Sequence, residues 1–353
     1  MGRRHRRGRP VDGLLLVDKP SGITSNAALQ RVKRLYGAAK AGHTGTLDPL
    51  ATGMLPVMFG EATKLGAHLI DADKAYETTL VLGLTTDTLD ADGEALERRE
   101  VPGGLDARAI DAALAPFRGE IDQVPPMVSA IRVGGRRLHE IAREGGSVIR
   151  APRRVTLHEI AVVEVAPPRV TLRVRCSKGT YIRSLVDDLG RTLGCGAHVE
   201  RLRRLWVAPF DGALTHRIDA LEAEAEAGGT AALDARLLPV DAGLGHLPVV
   251  ALDAAGLERF RHGNPASAVG AVLAGAGAGA DVPEPAPAGA DGSGAAGAVL
   301  RVRGPDGALA GLGEPIGTTD GGALTVRPVR VLVVARDTAD PQDPPDQSGP
   351  APA

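Results

Sequence analysis

The sequence contains few aromatic residues and few cysteines, and both shortages limit the kind of protein it encodes. Of 353 residues, 2% are Phe, Trp or Tyr while 43% are hydrophobic, so we expect cores filled mainly by Ala, Val and Leu. The two cysteines, Cys176 and Cys195, are too few for a disulfide framework and lie in apolar or Gly-rich surroundings. We therefore expect reduced core thiols in a cytoplasmic protein.

Several familiar sequence signatures are missing as well. The basic first nine residues lead into Pro10 and Asp12 rather than an apolar segment, and no apolar run is long enough to span a membrane. No Walker A, HExxH, GxSxG or strand-linked GxGxxG pattern occurs, and no cysteine pair has zinc-ligand spacing. Residues 88–93 (TLDADG) resemble half of a calcium loop, but Arg99 occupies the twelfth position, where a bidentate Glu is needed. We therefore expect neither a metal nor a cofactor.

Charge is distributed unevenly along the chain. Residues 1–210 carry 32 Lys and Arg against 24 Asp and Glu, a net charge of +8, whereas residues 211–353 carry 9 against 19, a net charge of −10. The first part is therefore suited to a polyanionic partner. The Arg-rich residues 1–10 lack apolar periodicity and predict a disordered arm, which either contacts phosphates or is simply solvated.

The order of apolar patterns predicts an α+β protein. Residues 13–17 and 54–59 are short apolar runs typical of buried strands, and residues 170–176 alternate apolar with basic or polar side chains. Helical spacing covers 107–117 and returns at 182–193. Strands separated by helices, with several hairpin-like joins, favour a mixed, mainly antiparallel sheet flanked by helices.

A change of pattern near residue 249 predicts a second domain. Residues 249–267 and 299–336 show strand and turn patterning, which is typical of a small β-rich domain. Between them, residues 268–298 are rich in Gly, Ala and Pro and predict a disordered insert. The expected division is an arm at 1–10, a catalytic domain at 11–248, a β-rich domain at 249–337 interrupted by the insert, and a disordered tail at 338–353.

The clearest candidate for a functional site is the stretch of residues 42–53 (GHTGTLDPLATG). Its three glycines, three threonines, histidine and single carboxylate lie between two patterned segments, which predicts a loop of the kind that often carries a site. Asp48 becomes a candidate nucleophile or base if Arg183, in the first turn of a helix, keeps it ionised and oriented. An Asp before a Pro is also typical of a turn or a helix cap, so both interpretations stay open at this point.

This stretch resembles the catalytic motif of the TruB-type tRNA pseudouridine synthases, the bacterial tRNA pseudouridine-55 synthase family. The resemblance extends, in the family's order and spacing, over roughly residues 11–210. Several independent motifs in register make a stronger signal than one loop. The further segments are 17–22 (VDKPSG), 60–64 (GEATK), 74–76 (KAY), 176–183 (CSKGTYIR) and 202–204 (LRR).

The resemblance implies an enzyme that converts one uridine in the T loop of tRNA, at position 55, to pseudouridine without a cofactor. Such an enzyme breaks the N-glycosidic bond, rotates the uracil and rejoins it through carbon. By similarity, Asp48 is the catalytic carboxylate and Arg183 is its ion-pair partner. Tyr76 is the ring that packs on the flipped uracil, Leu202 lines the uracil pocket, and His43 fills the space that the extruded base leaves.

Two further lysines fall in family motifs, and two other positions depart from the family pattern. Lys19 and Lys64 are expected to be supporting or RNA-contacting residues. Val128 stands where the family usually has a tyrosine, and His139 replaces another frequent aromatic residue, which concerns RNA contacts or packing and not the chemistry.

The family's catalytic fold is a mixed sheet with helices, and many members end in a small β domain of the PUA type, which residues 249–337 would match. A competing hypothesis is a tRNA-binding folding chaperone that uses the basic residues 1–210 while Asp48 is a structural cap. Either protein would bind the T-arm stem-loop of tRNA, as a monomer in the cytoplasm and without a membrane partner.

Overall fold

Two large β-sheets carry most of the structure. The computed structural model describes residues 8–70, 72–129, 131–146, 148–273, 299–319 and 322–333. The strands before residue 249 are β1 (Gly13–Lys19), β2 (Ala41–His43), β3 (Thr52–Phe59), β4 (Lys74–Leu82), β5 (Leu84–Thr86), β6 (Ala95–Arg98), β7 (Gly119–Gln123), β8 (Arg132–Val133), β9 (Arg136–Arg137), β10 (Arg153–Ala166), β11 (Arg169–Cys176), β12 (Ala197–Val207) and β13 (His216–Arg217).

Helices flank this first group of strands, and a second group of strands follows them. The helices are α1 (Ser25–Leu35), α2 (Gly66–Ile70), α3 (Ala107–Leu114), α4 (Leu138–Arg143), α5 (Ile182–Thr192), α6 (Ile218–Asp234) and α7 (Ala254–Arg261), and 3-10 helices span Gly60–Leu65, Ala115–Phe117 and Ala242–Leu244. The later strands are β14 (Val249–Ala251), β15 (Ala266–Ser267), β16 (Val269–Leu273), β17 (Leu300–Arg303), β18 (Leu309–Thr318) and β19 (Leu324–Val331). Each helix in the described ranges is too short or too polar for a membrane span.

The larger sheet is mixed but mainly antiparallel. Its strands lie in the order β13-β1-β3-β12-β4-β11-β10-β7, with β2 paired to β3. Only the β1–β13 and β3–β12 pairs of this order are parallel. The α+β architecture expected from the sequence is therefore confirmed.

Apolar cores lie on both faces of the larger sheet. Strand β1 has an unbroken apolar run because both of its faces are buried. Leu15 and Val17 pack in one core cluster, and Leu14 and Leu16 pack in another. The helices α1 and α6 cover the face of Leu15. On the other part of the sheet, α3 and α5 pack on β4, β10, β11 and β12 to form the largest core cluster.

The smaller sheet belongs to a β-rich C-terminal unit with its own core. Its six strands lie in the order β15-β19-β18-β17-β14-β16, and α7 packs on them through Leu257 and Phe260. A cluster of five buried leucines joins this unit to the rest of the chain. The Asp241 carboxylate also forms ion pairs with Arg301, at 3.5 Å, and with Arg303, at 2.5 Å. The β-rich character expected for the C-terminal part is confirmed, whereas the domain limits stay a prediction.

Three expectations from the sequence need correction. The 249–267 segment contains helix α7, whose N-cap Asp253 accepts a hydrogen bond from the Gly256 amide, so its pattern is not only strand and turn. The proposed insert 268–298 begins too early, because β16 pairs with β14. Arg9 does not belong to the disordered arm expected at 1–10, because it forms a β-bridge with Ala38 and an ion pair with Asp234. Residues 1–7, 274–298 and the tail 338–353 lie outside the described residues.

Close packing at Gly53 generates a stability prediction. Gly53 has φ +101°, and a Cβ added there would lie 2.1 Å from the Arg204 carbonyl oxygen. Gly104 also has a positive φ, +74°, but an added Cβ would meet no atom within 4 Å. We expect Gly104→Ala to lower the free energy of unfolding by roughly 1–2 kcal/mol, and Gly53→Ala to lower it further because backbone must move. Urea denaturation measures both, and equal losses would contradict the packing argument.

Candidate active site

The loop between β2 and β3 is fixed by hydrogen bonds to the turn that precedes α1. The Leu47 amide donates to Ser25 Oγ at 2.8 Å, and that hydroxyl donates back to the Leu47 carbonyl at 3.0 Å. The Gly22 amide donates to the Pro49 carbonyl at 2.9 Å. Asp48 therefore lies between two anchored residues. No helix begins after it, so the helix-cap interpretation of Asp-Pro does not apply.

Lys19 lies beneath this loop and not at the surface. Its side chain is fully buried, and its Nζ donates to the carbonyls of Pro20, Ile23 and Pro49 at 2.7–3.2 Å. Burial lowers the pKa of Lys19 to about 8, and the negative charge of Asp48 opposes that shift. Of the two roles expected for Lys19, these contacts support the structural one, because the amine has no free path to RNA.

The site is organised around an ion pair between Asp48 and Arg183. Arg183 lies in the first turn of α5, and one terminal nitrogen donates to Asp48 Oδ1 at 2.9 Å and to the Val128 carbonyl at 2.8 Å. The Arg183 side chain is 2% exposed, whereas that of Asp48 is 34% exposed. Asp48 is thus held by Arg183 on its buried side and is partly exposed on the other side. The Val128 contact uses the backbone, so the departure from the family's tyrosine leaves it in place.

A second carboxylate, Asp90, lies behind the same guanidinium and was missed by the sequence analysis. The other terminal nitrogen of Arg183 donates to the Thr88 carbonyl at 2.7 Å and lies 3.4 Å from Asp90 Oδ2. Asp90 is itself held by the Thr88 hydroxyl at 2.6 Å and the Asp92 amide at 3.2 Å. The TLDADG segment therefore supports the Arg183 side chain of the site. Among the described residues no cluster of His, Cys, Asp and Glu is arranged to hold a metal ion.

The surroundings of Asp48 make its carboxylate more basic than usual. Burial is the largest influence and raises the pKa of Asp48, and the nearby Asp90 charge raises it further. The charge and hydrogen bond of Arg183, with a smaller contribution from Lys19, act in the opposite direction. A poorly solvated carboxylate with a fixed orientation is suited to act as a nucleophile or a base.

Asp48 opens into a cavity of about 490 Å³. Tyr76 on β4 and Leu202 on β12 form part of its wall and are 8% and 7% exposed. Asp48, Arg183, Tyr76 and Leu202 are thus brought together by four separate segments of the chain. Basic side chains also lie along the cavity, namely Lys74, Arg153, Arg154, Lys178 and Arg204.

Besides Lys19, two of the expected site residues lie outside the lining of this cavity. His43 lies on β2 opposite Val57, and burial lowers its pKa, with the positive charge of Arg204 adding to the effect. The Nδ1 atom of His43 is buried and has no hydrogen-bond partner in the part of the chain that the structure describes. Lys64 contacts Glu61 at 2.6 Å and the Val331 carbonyl at 3.1 Å, which places it at the junction with the C-terminal unit.

Comparison with known proteins assigns this arrangement to a family. Residues 33–182 match the N-terminal domain model of TruB family pseudouridylate synthases, and residues 183–245 match a tRNA pseudouridylate synthase B C-terminal domain model. A relative named tRNA pseudouridine synthase B, from Chromohalobacter salexigens, is 55% identical over 271 residues, which cover 77% of this chain and 87% of the relative. The chain belongs to the TruB family of pseudouridylate synthases.

Further family members and solved structures agree with this assignment. A protein with the same name from Stutzerimonas stutzeri is 52% identical over 260 residues, covering 74% of this chain and 85% of that one. The archaeal box H/ACA sRNP Nop10-Cbf5 complex contains a chain with TM-score 0.64 and 23% identity, covering 94% and 92% of the two chains. A chain of a Cbf5-Nop10-Gar1 complex has TM-score 0.64 and 26% identity, and the match covers 90% of this chain and 84% of that chain. The fold of this chain, with its C-terminal β-rich part, is therefore similar to the fold of these two solved chains.

The buried amine of Lys19 generates a pH prediction. Between the folded-state pKa of about 8 and the ordinary value of 10.5, the unfolded chain keeps a proton that the native protein has released. The contribution of Lys19 to stability therefore rises with pH across this interval. We expect Lys19→Met to lower the free energy of unfolding by about 1–3 kcal/mol, since three carbonyls lose their donor, and to remove this rise. Urea unfolding across the interval tests it, with Lys33→Met in the last turn of α1 as control; parallel pH profiles for wild type and Lys19→Met would refute the titration.

Proposed function

We propose that this chain isomerises a uridine in the T loop of tRNA, at position 55, to pseudouridine, with Asp48 as the catalytic carboxylate and without a cofactor. The observation that carries the proposal is the Asp48–Arg183 pair, which is 2.9 Å long and faces a cavity of about 490 Å³. The names of the 52–55% identical relatives support tRNA as the substrate.

The cavity walls suit a uracil that has left its base stack. The Tyr76 ring offers a flat surface for stacking, and the Leu202 side chain offers an apolar contact beside it. Arg183 keeps Asp48 oriented toward this space, so the carboxylate can act as the nucleophile or base while the N-glycosidic bond breaks. The uracil then rotates within the cavity and rejoins the ribose through a ring carbon. That carbon releases its proton and the freed ring nitrogen gains one, so the net change is an isomerisation.

The remaining expected residues have proposed roles outside the chemical step. We assign His43 to the space left by the extruded base and Lys64 to contact with RNA near the C-terminal unit. Lys19 supports the loop from below. The exposed basic side chains along the cavity, Arg153, Arg154 and Lys178, bind the phosphates that flank the flipped nucleotide.

A second candidate function is a tRNA folding chaperone, and the net charge of +8 in residues 1–210 is the observation that favours it. In this case the protein binds the T arm and helps it to fold, and Asp48 has only a structural role. Both functions would be carried out by a monomer in the cytoplasm, which stays a prediction.

Replacing the carboxylate separates the two functions. We expect Asp48→Asn to bind a T-arm transcript with wild-type affinity, because the basic side chains remain, and to lose all measurable pseudouridine formation, because the amide is neither a base nor a nucleophile. Asp111→Asn, on the exposed side of α3, is the matched control and should keep full turnover. Substantial turnover by Asp48→Asn would contradict the assignment of Asp48 as the catalytic carboxylate. A variant that still promotes tRNA folding would favour the chaperone.

Salt dependence tests the RNA-binding surface. Because Lys and Arg displace counterions from phosphates, affinity should fall steeply with ionic strength, with a log–log slope of about 0.7–0.9 per neutralised phosphate. Filter binding with a T-arm transcript measures the slope. Deleting residues 2–7 should make it shallower if the arginines of the arm contact phosphate, and an unchanged slope would identify the arm as a solvated tail. An affinity that is independent of salt would argue against RNA as the substrate.

A further inference from the structure

Arg204 is a buried cation that has no role in the proposed function so far. It is 1% exposed and is the bulkiest of the fully buried side chains in the described part of the chain. No carboxylate of the described residues lies within ion-pair distance of it. Because a buried charge is costly unless hydrogen bonds compensate for it, the contacts of this guanidinium should be informative.

The backbone of Arg204 holds the end of the catalytic loop. Strands β12 and β3 are parallel, and their register places Arg204 opposite Gly53, the second residue of β3. The contact is so close that a Cβ at position 53 would lie 2.1 Å from the Arg204 carbonyl oxygen. Glycine is thus required at position 53 by the approach of β12.

The side chain of Arg204 makes one further contact at the end of the same loop and one at its beginning. Its Nε donates to the Met54 carbonyl at 2.7 Å, and a terminal nitrogen donates to the Gly45 carbonyl at 2.9 Å. Gly45 has φ +69° and lies three residues before Asp48, on the side of the loop that leaves β2. One residue therefore contacts both ends of the segment that carries Asp48.

The same guanidinium also reaches the aromatic wall. Tyr76 lies opposite Arg204 in the β4–β12 register. The charge and hydrogen bonding of Arg204 act to lower the pKa of Tyr76, although burial has the larger effect and raises it. Arg204 is therefore the common neighbour of the loop and the ring, which come from different parts of the chain.

We propose that Arg204 is a positioning residue for isomerisation, which fixes the loop of Asp48 and the ring of Tyr76 relative to each other. The proposal rests on the proposed roles of Asp48 and Tyr76. Arg204 does not need to touch the uracil, because its hydrogen bonds go to the main-chain carbonyls of Gly45 and Met54. Its removal should leave the phosphate-binding side chains in place. The Asp48 carboxylate and the Tyr76 ring would then no longer be held in a fixed position relative to each other.

The neighbouring residue in the strand provides a matched control. Arg203 lies on the opposite face of β12, is 45% exposed and forms an ion pair with Asp18 at 2.8 Å. It shares residue type and strand with Arg204 but not the burial or the contact with the loop. A second control, Leu221→Ala, weakens the core under α6 without touching the cavity.

The experiment measures single-turnover pseudouridine formation at saturating T-arm RNA, together with RNA affinity and thermal unfolding. We expect Arg204→Met to lower the rate constant by about 100-fold, as expected for a small misplacement of reacting groups, with RNA affinity within about threefold of wild type. Arg204→Lys should recover little, since one amine cannot replace the fork of donors. Arg203→Met should keep the wild-type rate, and Leu221→Ala should lose stability but not rate.

A rate loss of about tenfold or more at saturating RNA, beyond that of Leu221→Ala, supports the proposal. A smaller loss, or a defect confined to RNA affinity, overturns it. If Arg204→Met does not fold, Arg204→Lys decides by the same limits. Failure of the proposed function is seen separately, because wild type would then form no pseudouridine in the T-arm RNA, or Asp48→Asn would retain turnover.

Discussion

The burial of the Arg183 guanidinium is the constraint on which the site depends. A cation with so little exposure needs acceptors on each side, and these come from three segments that are distant in sequence: the loop of Asp48, the turn of Thr88 and Asp90, and the backbone at Val128. The single charge is shared by two carboxylates, and only Asp48 faces the cavity. The arrangement therefore leaves Asp48 incompletely neutralised, which agrees with its raised pKa.

Hydrogen bonds of buried side chains to main-chain carbonyls fix the loop around this pair. Lys19 donates to the Ile23 and Pro49 carbonyls. Arg204 donates to the Gly45 and Met54 carbonyls. The loop thus has a defined shape although it contains no helix or strand. In the proposed function, a preorganised carboxylate does not need to be ordered by the substrate, so the energy of RNA binding can be used for unstacking the uridine.

Much of this site could be predicted from local sequence, and the rest could not, for a physical reason. The Gly-rich loop, the strand of Tyr76 and the helix that carries Arg183 in its first turn all have short-range signals, because glycine, alternation and helical spacing act over a few residues. The pairing of Asp48 with Arg183 crosses 135 positions, and periodicity says nothing about such a distance. Family resemblance supplied it. Asp90 and Arg204 lack any local signal, since an Asp in a polar turn and an Arg in a strand look like surface residues until the fold buries them. Helix α7 was missed for a related reason, because its eight residues have only two strongly buried apolar side chains among charged ones.

The position of β12 has a consequence for how the chain must be made. This strand occupies the centre of the larger sheet, between β3 and β4, yet it begins only at Ala197. During synthesis, the edges of β3 and β4 that will face each other across β12 are complete long before their common neighbour leaves the ribosome. Such unpaired edges invite pairing with other chains. Because this central strand is made late, the nascent chain depends most on protection from aggregation before β12 has been synthesised. The loop of Asp48 therefore acquires its final shape only after most of the residues of the larger sheet have been translated.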